Sequence, residues 1–100
     1  LAALHGWLAP LPPEGASAIV FRDVNHAPEL AAAQGIRSAD LLRHGIVDAI
    51  VPERPDAADE PMEFTHRLSA TIANALHGLR SMPDEERLAA RLARYRRIGL

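Results

Sequence analysis

The sequence predicts an α/β fold that is mostly helical and has one or two short strands. Apolar residues recur at three- and four-residue spacing through much of the chain, which indicates amphipathic helices. A single β-branched run, residues 46–51, has strand character. Aromatic residues make up 4% of the sequence, so the core has to be built mainly from Ala, Leu, Ile and Val, a composition that favours closely packed helices.

The length and composition limit the classes of protein to which this chain can belong. One hundred residues suffice for one hydrophobic core, and we treat 1–100 as one unit. A formal net charge of −2 gives no overall field that would attract nucleic acid, and no apolar run approaches the ~20 residues that cross a bilayer. The absence of cysteine is compatible with a cytoplasmic location. The first residues lack Met and a basic region, so we expect a segment of a longer polypeptide and not a signal peptide.

The chain is organised around a corner at residues 12–15, Pro-Pro-Glu-Gly, within the strand-corner-helix unit 4–22. The prolines hold the backbone extended, and small and apolar residues then continue into a helix that ends near residue 22. Free amides in the first helical turn, with the positive end of the macrodipole behind them, would suit a carbonyl oxygen or an anion. Gly15 is typical of a positive φ or a close backbone approach. A plain turn is the alternative. We expect an edge strand within residues 4–11 before the corner.

Two short helices are predicted within residues 27–43. Pro28 fits the first turn of the first helix, and Gly35 fits the left-handed residue that follows its end. Ser38 is the expected N-cap of the second helix, and Gly45 closes that helix.

Residues 46–51 form the strongest predicted strand. The segment is apolar on both faces and is bounded by Gly45 and Pro52. A strand of that kind is buried in an α/β sheet between helices, and it cannot form a sheet alone. We therefore expect that other strands of the sheet lie outside this chain.

The remainder is predicted to be a loop, residues 52–60, followed by two long helices at 61–80 and 82–97. Ser81 and Asp84 resemble a capping box at the start of the last helix. The arginines at the end of that helix are explained by the macrodipole, without a nucleic-acid partner. The apolar face of the two helices comprises Thr65, Leu68, Ile72, Ala75, Leu76 and Leu79, and then Leu88, Leu92 and Tyr95.

No spacing of residues in the sequence indicates catalysis or metal binding. The five histidines do not form an HExxH pattern, and none lies three or four residues from another. The serines lie outside any Gly-x-Ser-x-Gly motif, and there is no glycine-rich phosphate loop. We expect neither a catalytic residue nor a metal ligand in this segment.

Three stretches carry a resemblance to a known family. They are Pro-Glu-Gly-Ala-Ser-Ala-Ile-Val-Phe at 13–21, Ala-Pro with Ala-Ala-Ala-Gln-Gly-Ile at 27–36, and Gly-Ile-Val-Asp-Ala-Ile-Val-Pro-Glu at 45–53. In order and spacing they resemble the C-terminal part of biotin-dependent acyl-CoA carboxylase carboxyltransferases, above all the bacterial alpha subunit. Alpha subunits often carry Cys where Ala16 stands, which points to a variant or a fused beta-alpha form.

The resemblance implies that this chain is the C-terminal fragment of a crotonase-like α/β spiral. Family members transfer a carboxyl group from carboxybiotin, held on a partner carrier protein, to acyl-CoA, giving malonyl-CoA in fatty-acid synthesis. The implied partners are another carboxyltransferase half or subunit, the biotin carboxyl carrier protein and acyl-CoA, in a homo- or hetero-oligomer. The family's enolate-binding amides lie upstream of this segment, so the segment alone is expected to be inactive.

The resemblance also assigns four site residues. Pro13, Glu14, Gly15 and Ala16 are implied to lie near the biotin-side wall, as scaffold more than as contacts. Two other functions stay open: a helical protein-interaction module without catalysis, and another crotonase-superfamily acyl-CoA enzyme, such as a hydratase or isomerase, whose acidic catalytic residues would lie upstream.

Overall fold

The computed structural model describes residues 1–99, and within them it is mostly helical with two short strands, as the sequence predicts. In chain order the elements are β1 (Ala2–Ala3), α1 (Pro13–Phe21), α2 (Ala27–Gln34), α3 (Ser38–Arg43), β2 (Ile50–Val51), α4 (Pro61–Ser81) and α5 (Asp84–Arg97).

The two strands form a parallel pair in which Ala2 lies beside Ile50 and Ala3 beside Val51. The expected strand within residues 4–11 is wrong, because the chain turns immediately after β1 and the Gly6 amide donates back to the Ala3 carbonyl at 2.9 Å. Residues 6–8 instead run antiparallel to residues 36–38 through an isolated bridge and two main-chain hydrogen bonds of 3.0 Å.

The predicted strand 46–51 is also wrong over most of its length, since only Ile50–Val51 is a strand. The amides of Ile46 and Val47 donate to the carbonyl of Leu41 at 2.9 and 3.3 Å, and these bonds close the end of α3. Those amides are therefore unavailable to a sheet ladder, and Ile46 is 40% exposed, not buried on two faces. Gly45, with φ 72°, makes this reversal possible.

A small core forms where α1 and α2 pack together beside α3 and β2. Its buried apolar residues are Ala16, Ala27, Ile36, Leu41 and Val51. Ser17 is fully buried, and its hydroxyl donates to the Asp23 carbonyl at 2.6 Å and accepts from the His26 amide at 3.2 Å. This side chain fastens the turn between α1 and α2.

Two predicted helix caps are not formed. Ser38 is the first residue of α3, which begins after Arg37, and its hydroxyl donates to the Leu4 carbonyl at 2.5 Å, on another part of the chain. Ser81 still belongs to α4, and its hydroxyl donates to the carbonyl of His77 at 2.9 Å. The capping box with Asp84 is therefore absent, and Pro83 occupies the N-cap position of α5.

The two long helices extend from the core and bury none of their described residues. Arg67 anchors the start of α4, because its guanidinium donates to the Pro52 carbonyl at 3.0 and 3.1 Å and to the Glu60 carboxylate. Among residues 1–99, none of these helices combines the length and the apolar character needed to cross a membrane.

Candidate functional site

The start of α1 borders a groove of about 950 Å³. Pro13 and Glu14 stand on one side, and the exposed indole of Trp7 and the side chains of Arg37 and Arg43 also line it. The floor is apolar and is built from Pro28, Ala31, Ala32 and Ile36. The corner that the sequence singles out is therefore the wall of a concave surface.

Main-chain donors point out of the first turn of α1. The Ala16 amide bonds to the Pro12 carbonyl at 2.9 Å, as the first regular bond of the helix, and Pro13 has no N–H. Within residues 1–99 the amides of Glu14 and Gly15 have no hydrogen-bond acceptor. Two free amides at the positive end of a helix suit a carbonyl oxygen or a carboxylate.

The four site residues that the resemblance assigns do not share one environment. Pro13 and Glu14 line the groove, whereas Ala16 is buried in the core. Gly15 lies inside the helix without a positive φ, and a Cβ placed on it would lie 3.4 Å from Cδ1 of Leu11. Neither a left-handed conformation nor a close backbone approach accounts for this glycine, so the corner is a helix start and not a strained turn.

An acidic side chain lies between the two arginines of the groove. The carboxylate of Asp40 accepts from Nη2 of Arg43 at 2.8 Å and lies 3.4 Å from Nε of Arg37. Asp40 is buried, while both guanidinium groups are largely exposed. The groove is thus lined by two guanidinium groups and by the start of α1, an arrangement that can bind a polar or anionic group.

A second polar cluster lies at the carboxyl end of the strand pair, and no residue spacing in the sequence indicates it. Its members are His5, Glu53 and Asp56, whose potential ligand atoms all lie within 4.8 Å of one another. The Glu53 carboxylate accepts the His5 amide at 2.7 Å and the Ala57 amide at 2.9 Å. Those two main-chain bonds, the one from His5 first, lower the pKa of Glu53.

Comparison with known proteins places the chain in a family. Residues 3–99 match the family model described as acetyl co-enzyme A carboxylase carboxyltransferase-like. A Mycobacterium bovis protein named probable biotin-dependent acyl-coenzyme A carboxylase beta3 subunit is 78% identical over 100 residues, which are 100% of this chain and 20% of that protein.

More distant relatives carry related names. The acetyl-coenzyme A carboxylase carboxyl transferase subunit alpha of Deinococcus radiodurans is 38% identical over 95% of this chain and 30% of its own length. The subunits beta/alpha protein of a Parafrankia species is 40% identical over 87% of this chain and 14% of its own length. This chain therefore spans less than a third of each of these relatives. Because the family model matches nearly every residue, the chain belongs to the acetyl co-enzyme A carboxylase carboxyltransferase-like family.

Proposed function

We propose that this chain is the C-terminal part of the carboxyltransferase component of a biotin-dependent acyl-CoA carboxylase. The single observation that carries the proposal is the family match over residues 3–99. The groove beside α1 supports it, because helix amides and guanidinium groups suit the carbonyl and carboxylate groups that take part in carboxyl transfer. With acetyl-CoA as the acceptor, the product is malonyl-CoA.

The proposed task of this segment is to bind and orient. Biotin, attached to a carrier protein, would supply the carboxyl group in the assembled enzyme. The free amides of Glu14 and Gly15 are proposed to hold an oxygen atom on the biotin side, and Pro13 fixes the backbone that presents them. Ala16 packs behind this wall. We assign no general base or nucleophile to this segment.

The proposed setting is a crotonase-like spiral whose other strands and helices belong to another carboxyltransferase half or subunit. Two features support contacts beyond this chain: the sheet has two strands of two residues, and α4 and α5 leave apolar side chains exposed. The proposed partners are that half, the biotin carboxyl carrier protein and acyl-CoA, in an oligomer located in the cytoplasm.

The decisive experiment uses the full-length protein with its biotin carboxylase and carrier partners. Carboxylation of acetyl-CoA and propionyl-CoA is measured for the wild type, Glu14→Pro and Glu14→Ala. Glu14→Pro removes one free amide at the second position of the helix, and Glu14→Ala keeps the amide. Circular dichroism checks that the helix start survives the second proline, because a proline disfavours the helical conformation of the residue before it. A lost hydrogen bond to a charged group costs about 1.5–3 kcal/mol, so we expect kcat/KM to fall about 10- to 100-fold for Glu14→Pro alone.

The outcomes test two statements separately: that the Glu14 amide takes part in the reaction, and that the protein is a carboxyltransferase. Equal rates for the proline and alanine variants, with wild-type helicity by circular dichroism, would remove the amide from the mechanism. Failure of the full-length wild type to carboxylate any acyl-CoA would reject the carboxyltransferase function. Hydration or isomerisation of an enoyl-CoA in that case would favour another crotonase-superfamily enzyme.

A helical interaction module without catalysis is the second candidate, and the exposed apolar face of α4 and α5 is the observation that favours it. If that is the function, the 100-residue chain should bind its partner as tightly as the full-length protein does. The full-length protein should then not carboxylate acyl-CoA. Under the carboxyltransferase function, the 100-residue chain alone shows no turnover, and the full-length protein does.

A further inference from the structure

We propose that His5, Glu53 and Asp56 form a binding site for a divalent transition-metal cation, with Zn²⁺ as the ion. His5 lies in the turn after β1, and Glu53 and Asp56 lie in the segment that follows β2. Each offers one nitrogen or oxygen ligand, and His5 also lines the groove beside α1, at which the function of the free amides is proposed.

The register of the sheet brings the first two ligands together. In the parallel pair, Ala3 lies beside Val51, and the Leu4 amide donates to the Val51 carbonyl at 2.9 Å, so the turn after β1 holds His5 next to the segment that follows β2. Carboxyl ends of parallel strands meet at one edge, and the main-chain bond from His5 N–H to Oε2 of Glu53, 2.7 Å long, locks this alignment. The two side chains therefore meet as a consequence of the fold and not of a surface fluctuation.

The distances from His5 to the two carboxylates fit a shared cation, and all three ligand atoms lie within 4.8 Å of one another. Nδ1 of His5 lies 3.5 Å from Oε2 of Glu53 and 3.6 Å from Oδ2 of Asp56. Both separations exceed the roughly 2.7–3.2 Å of a direct N–H···O hydrogen bond. Ligands placed about 2.0–2.2 Å from a tetrahedral Zn²⁺ are separated by about 3.4 Å, which is close to both values.

Main-chain amides hold the two carboxylates in place. Oε1 of Glu53 accepts the Ala57 amide at 2.9 Å, and Oδ1 of Asp56 accepts the Ala58 amide at 2.9 Å. Oδ2 of Asp56 remains directed at the imidazole. Outer hydrogen bonds of this kind orient metal ligands in known sites. Glu53 is only 9% exposed, and the amides of His5 and Ala57 fix its carboxylate at the edge of the cluster.

The chemistry of the donors favours a first-row transition metal over Mg²⁺ or Ca²⁺. One imidazole nitrogen with two carboxylate oxygens suits Zn²⁺, whereas Mg²⁺ and Ca²⁺ prefer an all-oxygen shell with six or more ligands. Three protein ligands leave a fourth tetrahedral position for water or for a ligand from another molecule. The competing interpretation is a protonated His5 that bridges two carboxylates without a metal.

The test is titration of the 100-residue chain with ZnCl₂ at neutral pH in a buffer that does not chelate, followed by calorimetry. We expect one ion per chain. His5→Ala and Asp56→Asn should each weaken binding at least about tenfold, the scale on which even outer-shell substitutions act. Asp56→Asn retains Oδ1 as the acceptor for the Ala58 amide, so the loop should keep its structure.

Matched control variants distinguish Zn²⁺ binding at this cluster from Zn²⁺ binding at other histidines and carboxylates of the surface. His66→Ala on α4 and Asp59→Asn in the same loop are exposed and lie outside the cluster, and both should bind Zn²⁺ as the wild type does. MgCl₂ should give no saturable heat. Co²⁺ bound to the wild type should show the visible absorption of tetrahedral coordination, a measurement that needs no variant.

Two results would overturn the proposal. One is a wild-type chain that binds no Zn²⁺ and gives no tetrahedral Co²⁺ spectrum; a loss of stability in His5→Ala would then assign His5 to an ion pair with the carboxylates. The other is zinc affinity in folded His5→Ala and Asp56→Asn equal to that of the wild type.

Discussion

The guanidinium of Arg94 donates two hydrogen bonds of 3.1 Å to the main-chain carbonyl of Gly45, which lies 49 residues earlier in the chain. A third bond of 3.2 Å reaches the Ile46 carbonyl, and Nη1 lies 2.9 Å from a carboxylate oxygen of Asp48. The carbonyls belong to the turn that follows α3, so a side chain of α5 satisfies groups that this turn leaves free. Since α5 buries none of its residues, the bonds tie a weakly packed helix to the core.

We expect Arg94→Met to lower the free energy of unfolding by about 1–3 kcal/mol, because several hydrogen bonds from one charged donor are lost together. Arg96→Met on the same helix is the matched control, since the guanidinium of Arg96 makes no hydrogen bond or ion pair within residues 1–99, and its main-chain carbonyl, which accepts from the Gly99 amide, is kept in the variant. Chemical denaturation gives the free energies, and amide hydrogen exchange reports on α5. Equal stabilities of the two variants would mean that the Arg94 bonds contribute nothing net.

The helices were the predictable part of the fold. Long apolar periodicity and flanking proline and glycine placed α4 at 61–80 and α2 from Ala27, and the structure has Pro61–Ser81 and Ala27–Gln34. The strand at 46–51 failed for a physical reason that local sequence does not contain: the end of α3 takes the amides of Ile46 and Val47. Tertiary hydrogen bonds therefore overrode a strong β propensity.

Among the residues of the candidate sites, too, some could be predicted from local sequence and others could not. The corner at Pro13 and Glu14 could be found because proline and glycine act locally, and both residues do line the groove. His5, Glu53 and Asp56 could not be found by spacing, because 48 residues separate His5 from Glu53. Their proximity follows from the parallel pairing of Ala3 with Val51. That pairing could not be predicted, because the first strand was predicted within residues 4–11.

Low pH should destabilise the fold, because it protonates carboxylates whose pKa is lower in the folded chain than in the unfolded chain. The pKa of Glu60 is lowered, and the largest cause is the hydrogen bond that its carboxylate accepts from Arg67. A carboxyl group with a lower pKa in the folded chain favours folding above its unfolded pKa, and this contribution disappears as the pH falls through the folded pKa. Unfolded Glu titrates near pH ~4.3, so the midpoint of thermal unfolding should stay nearly constant from pH 7 to about 5 and fall below that.

Glu60→Gln isolates the part of this pH dependence that belongs to the pair with Arg67. The variant should unfold at a lower temperature than the wild type at pH 7 and show a smaller decrease on acidification, because one linked proton is gone. A wild-type slope in Glu60→Gln would show that this pair does not contribute to the pH dependence.

Two glycines should respond in opposite directions to replacement by alanine. Gly15 lies in a helix with ordinary φ, so Gly15→Ala should stabilise the chain by up to about 1 kcal/mol. Gly35 has φ 61° after α2, where a Cβ costs about 1–2 kcal/mol, so Gly35→Ala should destabilise. Unfolding curves of the two variants provide the measurement. A loss of stability in Gly15→Ala would mean that its contact with Leu11, 3.4 Å from the added Cβ, is too tight.

The 100-residue chain should associate through the apolar face of α4 and α5. Leu76 is 54% exposed and Leu88 is 59% exposed, on helices that bury none of their own residues. Burial of such a face removes apolar area from water at roughly 25 cal/mol per Å², enough to drive self-association when no other partner is present. Sedimentation velocity over a wide concentration range should show dimers or larger species for the wild type. Leu76→Arg should have a higher monomer fraction. Ser69→Arg, which places the same charge at another exposed position on α4, is the control and should associate as the wild type does. A wild-type chain that stays monomeric at every concentration would contradict the prediction, and so would equal association of the two arginine variants.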